Sequence, residues 1–316
     1  MASHLSPPTV GEHLLISFPE EHVLHLQLNR PKQMNSMNDE LEDDLRKTLR
    51  WFEATPTLWV LVLSGSPTSK AFCAGQDLKE WLIKRGTPPP VASSSSSSPP
   101  LQSEEEKRAT QHRIRHLGGF GGLSTLQSTK PLLLAVDGLA MGGGMEILLN
   151  MDLVFATSRA RFALPEVLRG VVAAQGGIPR LLKLVGHARA SELLLTGRTF
   201  QAEELREMGL VNSVVSVDIK ASPEEGQKAV VAEALKYAKM ITAASPDSVR
   251  VTKQALRLAR DGSGHIDQST LQNVESKQSR GLYAGRNFRE GLTAFKEKRA
   301  PKWTDPISFE RKGSKL

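Results

Sequence analysis

Two runs of unbroken apolar residues, Trp59-Val-Leu-Val-Leu63 and Leu132-Leu-Leu-Ala-Val136, most limit what this chain can fold into. With no polar residue alternating, neither run leaves a face for water, so each reads as a buried strand. The first is stopped by Ser64-Gly-Ser-Pro67. Val23-Leu-His-Leu-Gln-Leu28 alternates loosely and reads as a further strand, closed by Asn29-Arg-Pro31 because the residue before a proline avoids the helical region. Val154-Phe-Ala156 is a weaker one. In contrast, Leu41, Leu45, Leu49 and Phe52 recur at helical spacing, with acidic residues early and basic ones late, as the helix dipole favours. Strands alternating with helices make this an α/β chain. After about Ser222 the pattern is nearly all helical. Ser245-Pro246 reads as an N-cap followed by proline in the first turn, and Asp261-Gly262 ends that helix.

The 316 residues suit one large domain or two modest ones. No run approaches the ~18–20 apolar residues that span a bilayer. Met1 to Glu12 lacks a charged start leading into an apolar stretch, so no secretory signal is expected. The single cysteine, Cys73, cannot form an internal disulfide, which fits a reducing compartment. Gly86 to Pro100 holds five prolines and an unbroken serine run, a composition that cannot pack a core and is expected to form a flexible insert over 86–103. Glu104-Glu-Glu106 then starts a helix that ends in Gly118-Gly-Phe-Gly-Gly122.

The chain is basic, with 41 Lys and Arg against 34 Asp and Glu, a net charge of +7. That balance suits nucleic acid, an acidic surface or a phosphate-bearing substrate. The stretch from Arg289 to Leu316 carries eight basic and four acidic residues, so it alone supplies +4 of the excess. Aromatics make up only 5%, which argues against a nucleic-acid surface of interleaved basic and aromatic residues.

Three clusters carry the residues for chemistry. Lys70-Ala-Phe-Cys-Ala-Gly-Gln-Asp-Leu-Lys-Glu80 follows a buried strand, and the small Ala74 and Gly75 let the backbone approach a ligand. Asp77 and Glu80 begin a helix, so the amides near Gln76 sit at its positive end. In Val136-Asp-Gly-Leu-Ala-Met-Gly-Gly-Gly-Met-Glu146 a strand again leads through glycines into a helix. It is no phosphate-binding Walker loop, since Gly-Lys-Ser/Thr is absent. Two such turns can give two N–H donors to one developing oxyanion. The third cluster is Phe162-Ala-Leu-Pro-Glu-Val-Leu-Arg-Gly170 with Ala173-Ala-Gln-Gly-Gly177. Glu146 and Glu166 both lie in apolar sequence. There a carboxylate is paired, salt-bridged or functional, and two at one site can divide acid and base roles. The plain alternatives are an arginine-bound helix carboxylate for Glu146 and a loop-to-helix cap for Glu166. His112 and His116 lack the Glu of HExxH and read as a solvated face, so no metal is expected. Cys73 reads as a small buried residue and Asp152 as a structural acceptor.

At these clusters the chain resembles the crotonase (enoyl-CoA hydratase/isomerase) superfamily, from about Leu14 to Trp303. The resemblance rests on Arg30-Pro-Lys-Gln-Met-Asn35, Ala71-Phe-Cys-Ala-Gly-Gln-Asp77, Gly142-Gly-Gly-Met-Glu146, Leu164-Pro-Glu166, Leu194-Leu-Thr-Gly-Arg198 and Gly209-Leu-Val211. It implies a spiral of ββα units with a helical C-terminal trimerisation region: a core over 1–225 holding the insert, then a helical region over 226–316. It further implies a homotrimer or hexamer acting on an acyl-CoA, with coenzyme A entering as the substrate thioester and no other cofactor. The amides of Gln76 and Gly143 would form the oxyanion hole. Glu146 and Glu166 would hold a water between them and add or remove it at the α,β double bond. Ala74, Gln76, Asp77, Leu78, Gly143 and Ala174 would contact the CoA thioester, Ala74 near the adenine. Phe295 and Lys298 would reach CoA on a neighbouring subunit. One departure stands out: the family's Pro-Gly-Ala-Gly-Gly is Ala173-Ala-Gln-Gly-Gly177 here, so Ala174 replaces a glycine whose amide helps hold the water.

The last residues, Ser314-Lys315-Leu316, match a peroxisomal address read by an import receptor. With this ending, the chain looks most like fungal peroxisomal members of the family. Some of these act in siderophore side-chain assembly on mevalonyl- or hydroxymethylglutaryl-type thioesters, others in toxin synthesis or β-oxidation. A branched or carboxylated acyl group is expected, with Arg161 or Arg169 meeting a substrate carboxylate and Trp81, Phe120 and Leu139 shaping the pocket. A Δ3,Δ2-enoyl-CoA isomerase, needing one carboxylate, is the alternative within the chemistry. An RNA-binding homologue is the alternative of another class.

Overall fold

The computed structural model describes residues 5–85, 104–262 and 265–306. The insert at 86–103 and the expected address Ser314-Lys315-Leu316 lie outside the described residues. In chain order the elements are β1 (Leu14–Glu20), β2 (Val23–Leu28), α1 (Asp39–Ala54), β3 (Val60–Gly65), β4 (Ala71–Cys73), α2 (Leu78–Arg85), α3 (Glu104–His116), β5 (Leu132–Val136), β6 (Leu139–Met141), α4 (Gly143–Leu148), β7 (Leu153–Thr157), β8 (Arg161–Ala163), α5 (Gly177–Thr196), β9 (Phe200–Gln201), α6 (Ala202–Glu207), β10 (Ser213–Val215), α7 (Pro223–Thr242), α8 (Pro246–Asp261), α9 (Ile266–Val274), α10 (Lys277–Ala284) and α11 (Arg286–Glu297).

The strands divide between two sheets, and that division builds the site. The large sheet has the order β1-β2-β3-β5-β7-β10, with only the β1–β2 pair antiparallel. The small sheet has the order β4-β6-β8-β9, with β4, β6 and β8 parallel. The chain passes repeatedly from a large-sheet strand to a small-sheet strand and then to a helix: β3-β4-α2, β5-β6-α4 and β7-β8-α5. These are the ββα units of the expected spiral.

The apolar runs sit where their composition demands. Every residue of β3 and β5 is buried, because both faces of the large sheet are covered. On one face Leu41, Leu45, Leu49 and Phe52 of α1 join the core with Leu24, Leu26, Leu61, Leu63 and Leu134. On the other, Val230, Ala234 and Ala238 of α7, spaced four apart, pack on Val23, Val60, Val62, Leu133 and Phe155. The capping chemistry follows the sequence: Asn38 accepts from the Leu41 amide at α1, and Ser245 from the Ser248 amide at α8. Lys130 is buried, and its ammonium caps the end of α1 by donating to the Phe52 and Thr55 carbonyls. Burial lowers its pKa to about 8. Cys73 is buried in β4, where desolvation pushes the thiol up to about 12. Asp152 accepts from the Leu132 amide at 2.7 Å and from Lys253 at 2.6 Å, a structural role. No described helix is long and apolar enough to cross a membrane.

Candidate active site

The three sequence clusters leave the carboxyl ends of three adjacent parallel strands. Ala74–Asp77 follows β4, Gly142–Gly143 follows β6, and Leu164–Glu166 follows β8. Neighbouring strands are about 4.8 Å apart, so segments distant in sequence converge here.

The first turn is clamped from outside. The Met37 amide donates to the Gly75 carbonyl at 2.8 Å, and the Asp77 amide donates to the Met37 carbonyl at 2.9 Å. Because N–H directions alternate along extended backbone, the Gln76 amide between them points the other way. The Arg30–Asn35 motif builds this clamp. The Asn35 side chain donates to the Ala71 carbonyl and accepts from the Arg30 amide, both at 2.8 Å. The Arg30 guanidinium reaches Asp77 at 3.2 Å. Asp77 also accepts from the Glu80 amide at 3.4 Å, starting α2. Ala74 is half-buried and Leu78, on α2, is exposed.

The second turn lies against the first. Gly75 has φ +92°, and a Cβ there would fall 3.0 Å from the Met141 carbonyl and 3.5 Å from the Gly143 nitrogen. The Gly143 amide belongs to the first residue of α4 and so has no helical acceptor. Gln76 and Gly143 thus present adjacent backbone donors. The Phe120 ring covers Gly143 so closely that a Cβ would meet it at 2.5 Å.

Glu146 lies one turn into α4 and is 3% exposed. Its carboxylate is held by backbone rather than by arginine: one oxygen accepts from the Gln175 amide at 2.8 Å and the Gly177 amide at 3.0 Å. The arginine-bound alternative is therefore wrong for Glu146, because the turn entering α5 offers its free amides first. Burial pushes the Glu146 carboxyl up to about 7. The two amides pull it down, nearby Glu166 raises it further and Arg180 lowers it. Glu166 sits in the 3₁₀ turn Pro165–Arg169, with one carboxylate oxygen buried and unpartnered. A Cβ on Gly142 would lie 3.4 Å from its other oxygen. Burial raises the Glu166 pKa as well.

The remaining candidates separate. Ala174 is exposed in the turn that grips Glu146. Phe295 and Lys298 are at the end of α11, the ring 86% exposed. Arg161 and Leu139 pair at the amino ends of β8 and β6, opposite the site, and Arg161 donates to the Ala160 carbonyl. Both therefore enter their strands at the end away from the two turns. Arg169 is exposed and donates to the neighbouring Leu168 carbonyl. Trp81 is half-buried on α2. His112 and His116 are exposed on α3 with ring centroids 5.2 Å apart. Sequence reasoning missed Ser124, which accepts from the Phe120 amide and donates to the Gln175 carbonyl, both within 2.9 Å, linking the glycine loop to the turn on Glu146.

The family model described as enoyl-CoA hydratase/isomerase matches residues 19–306. The chain is 42% identical over 299 residues to the mevalonyl-coenzyme A hydratase of Beauveria bassiana, covering 95% of this chain and 97% of that one. It is 36% identical over 305 residues to the mevalonyl-coenzyme A hydratase of Aspergillus fumigatus, covering 96% and 98%. Among solved structures, an enoyl-CoA hydratase from Mycobacterium tuberculosis superposes with a TM-score of 0.74 at 29% identity, covering 93% of this chain and all of that one.

Proposed function

The chain belongs to the enoyl-CoA hydratase/isomerase family, and from that premise we propose that its site adds water to, or removes it from, the α,β double bond of an acyl-CoA thioester. One observation carries this reading: a buried carboxylate and a half-buried one, both with raised pKa values, share a site with two free backbone donors. In hydration, Glu146 takes a proton from water, and the hydroxyl oxygen bonds to Cβ. The double-bond electrons move onto the thioester oxygen, giving an enolate held by the Gln76 and Gly143 amides. Glu166 then delivers a proton to Cα. The Gln175 and Gly177 amides favour the ionised form of Glu146, the form that accepts water's proton, and this reading requires the proton for Cα to start on Glu166, whose buried oxygen has no donor.

Two fungal relatives are named for mevalonyl-coenzyme A, which supports a branched acyl group here. Coenzyme A enters as substrate, along Ala74, Asp77, Leu78 and Ala174, and no resident cofactor is needed for this chemistry. We also propose a homotrimer or hexamer in which Phe295 and Lys298 reach CoA on the next subunit. The exposed ring and cation at the end of α11 support this.

The test is an assay of purified protein on a panel of enoyl- and hydroxyacyl-CoAs, branched and linear. Inactivity on all of them overturns the hydratase reading. A Glu166→Gln enzyme that loses hydration but keeps double-bond migration would mark an isomerase instead. The pH profile is also fixed in sign. Protonated Glu146 cannot accept water's proton, so hydration should fall tenfold per pH unit below about 7. A rate flat down to pH 5 would remove Glu146 as the base. The proposed peroxisomal address predicts that a tagged chain enters peroxisomes and that deleting Ser314-Lys315-Leu316 disperses it, as read by microscopy.

A further inference from the structure

Gln175 has a buried side-chain amide oxygen with no hydrogen-bond partner. Its backbone is fully employed: the amide grips Glu146 at 2.8 Å, and the carbonyl accepts from Ser124 at 2.8 Å. The side chain starts two bonds from the nitrogen that binds Glu146, so it is anchored beside this carboxylate. Among the described residues, the other buried side-chain oxygen without a partner belongs to Glu166. A buried polar atom normally finds a partner, and next to a substrate site the partner can arrive with the substrate. Ionised Glu146 repels a second anion, so a carboxylated acyl tail is disfavoured here. A hydroxyl is neutral, and because it both donates and accepts it can serve either end of an amide.

We propose that Gln175 is a specificity-determining residue whose side-chain amide takes a distal hydroxyl of the acyl chain, so that the enzyme prefers a hydroxylated branched thioester over its alkyl counterpart. This rests on the hydratase reading and narrows its substrate class. The nearest sequence signal is the turn itself: Gln175 stands where the family's Pro-Gly-Ala-Gly-Gly has alanine.

The experiment compares kcat/KM on two branched α,β-enoyl-CoAs, one ending in a hydroxyl and the other in a methyl. The wild type should prefer the hydroxylated thioester about tenfold or more. Gln175→Met and Gln175→Ala, which keep the backbone amide on Glu146, should bring the ratio to about one, the hydroxylated thioester losing more than the methyl-ended one. Retention of the full preference by both variants overturns the proposal. Equal loss on both substrates also overturns it, since that marks a structural role. An active wild type without preference overturns it and leaves the hydratase reading standing. A wild type inactive on both thioesters and on the wider panel overturns that reading and this one together.

Discussion

Glu146→Gln is expected to lower kcat for hydration roughly 10³-fold, the scale of a lost general base, and to stabilise the protein above neutral pH. Glutamine keeps an oxygen for the Gln175 and Gly177 amides, so the turn entering α5 should stay in place. What it removes is a charge buried at 3% exposure. The Glu146 carboxyl rises from 4.5 to about 7 on folding. A raised carboxyl adds stability that is fully present below its unfolded value and lost as pH rises through the folded one. Above about 7 the folded state therefore bears the cost of the buried anion, about 3 kcal/mol. The variant should gain up to that amount at pH 8 and nothing below pH 4.5, read by thermal or denaturant unfolding at the two pH values. Unchanged hydration in a folded variant would remove Glu146 from the chemistry. Unchanged stability at pH 8 would mean that the wild-type carboxylate is better solvated than its burial implies.

Gly144→Ala should damage both the site and the fold. A Cβ at this position would fall 2.4 Å from the Cys73 carbonyl oxygen and 3.0 Å from the Cys73 Cβ. Backbone cannot swing aside as a long side chain can, so the β4 and α4 turns must part. That separates the Gln76 and Gly143 amides, and losing one oxyanion donor costs about 10²–10³ in kcat. Overpacking of this kind costs about 1–3 kcal/mol of stability. The check is kcat beside an unfolding curve. A folded variant with wild-type kcat would show that the two turns do not jointly hold the thioester oxygen.

Much of the large sheet was legible from residues alone. The unbroken runs at β3 and β5 can only be buried, and the four-residue spacing in α1 can only be one face of a helix. The small sheet was not legible, although it holds the site. Strands β4, β6 and β8 have three residues each and β9 two, too few to show a period. Strand β1 was overlooked, although its alternate residues do turn inward. The two glutamates stood out by their apolar setting and by the family pattern. Their partners did not, because the amides on Glu146 come from residues 29 and 31 positions away, and no local rule reports them. Leu139 and Arg161 misled for a related reason: both are close in sequence to the site but enter their strands at the far end.

The hydrogen bonds around Glu146 also bear on how the enzyme comes into being. Ser124 binds Gln175, Gln175 and Gly177 bind Glu146, and Met37 binds the turn at Gly75, links that span between 29 and 51 positions of chain. The α1 helix and the β1–β2 pair are built from near neighbours and close little loop, whereas these links need the whole circuit from Met37 to Gly177. The grip on Glu146 therefore cannot close before the turn at Gln175–Gly177 has docked. A chain that has not yet reached Gly177 lacks one of the two amides that hold this carboxylate.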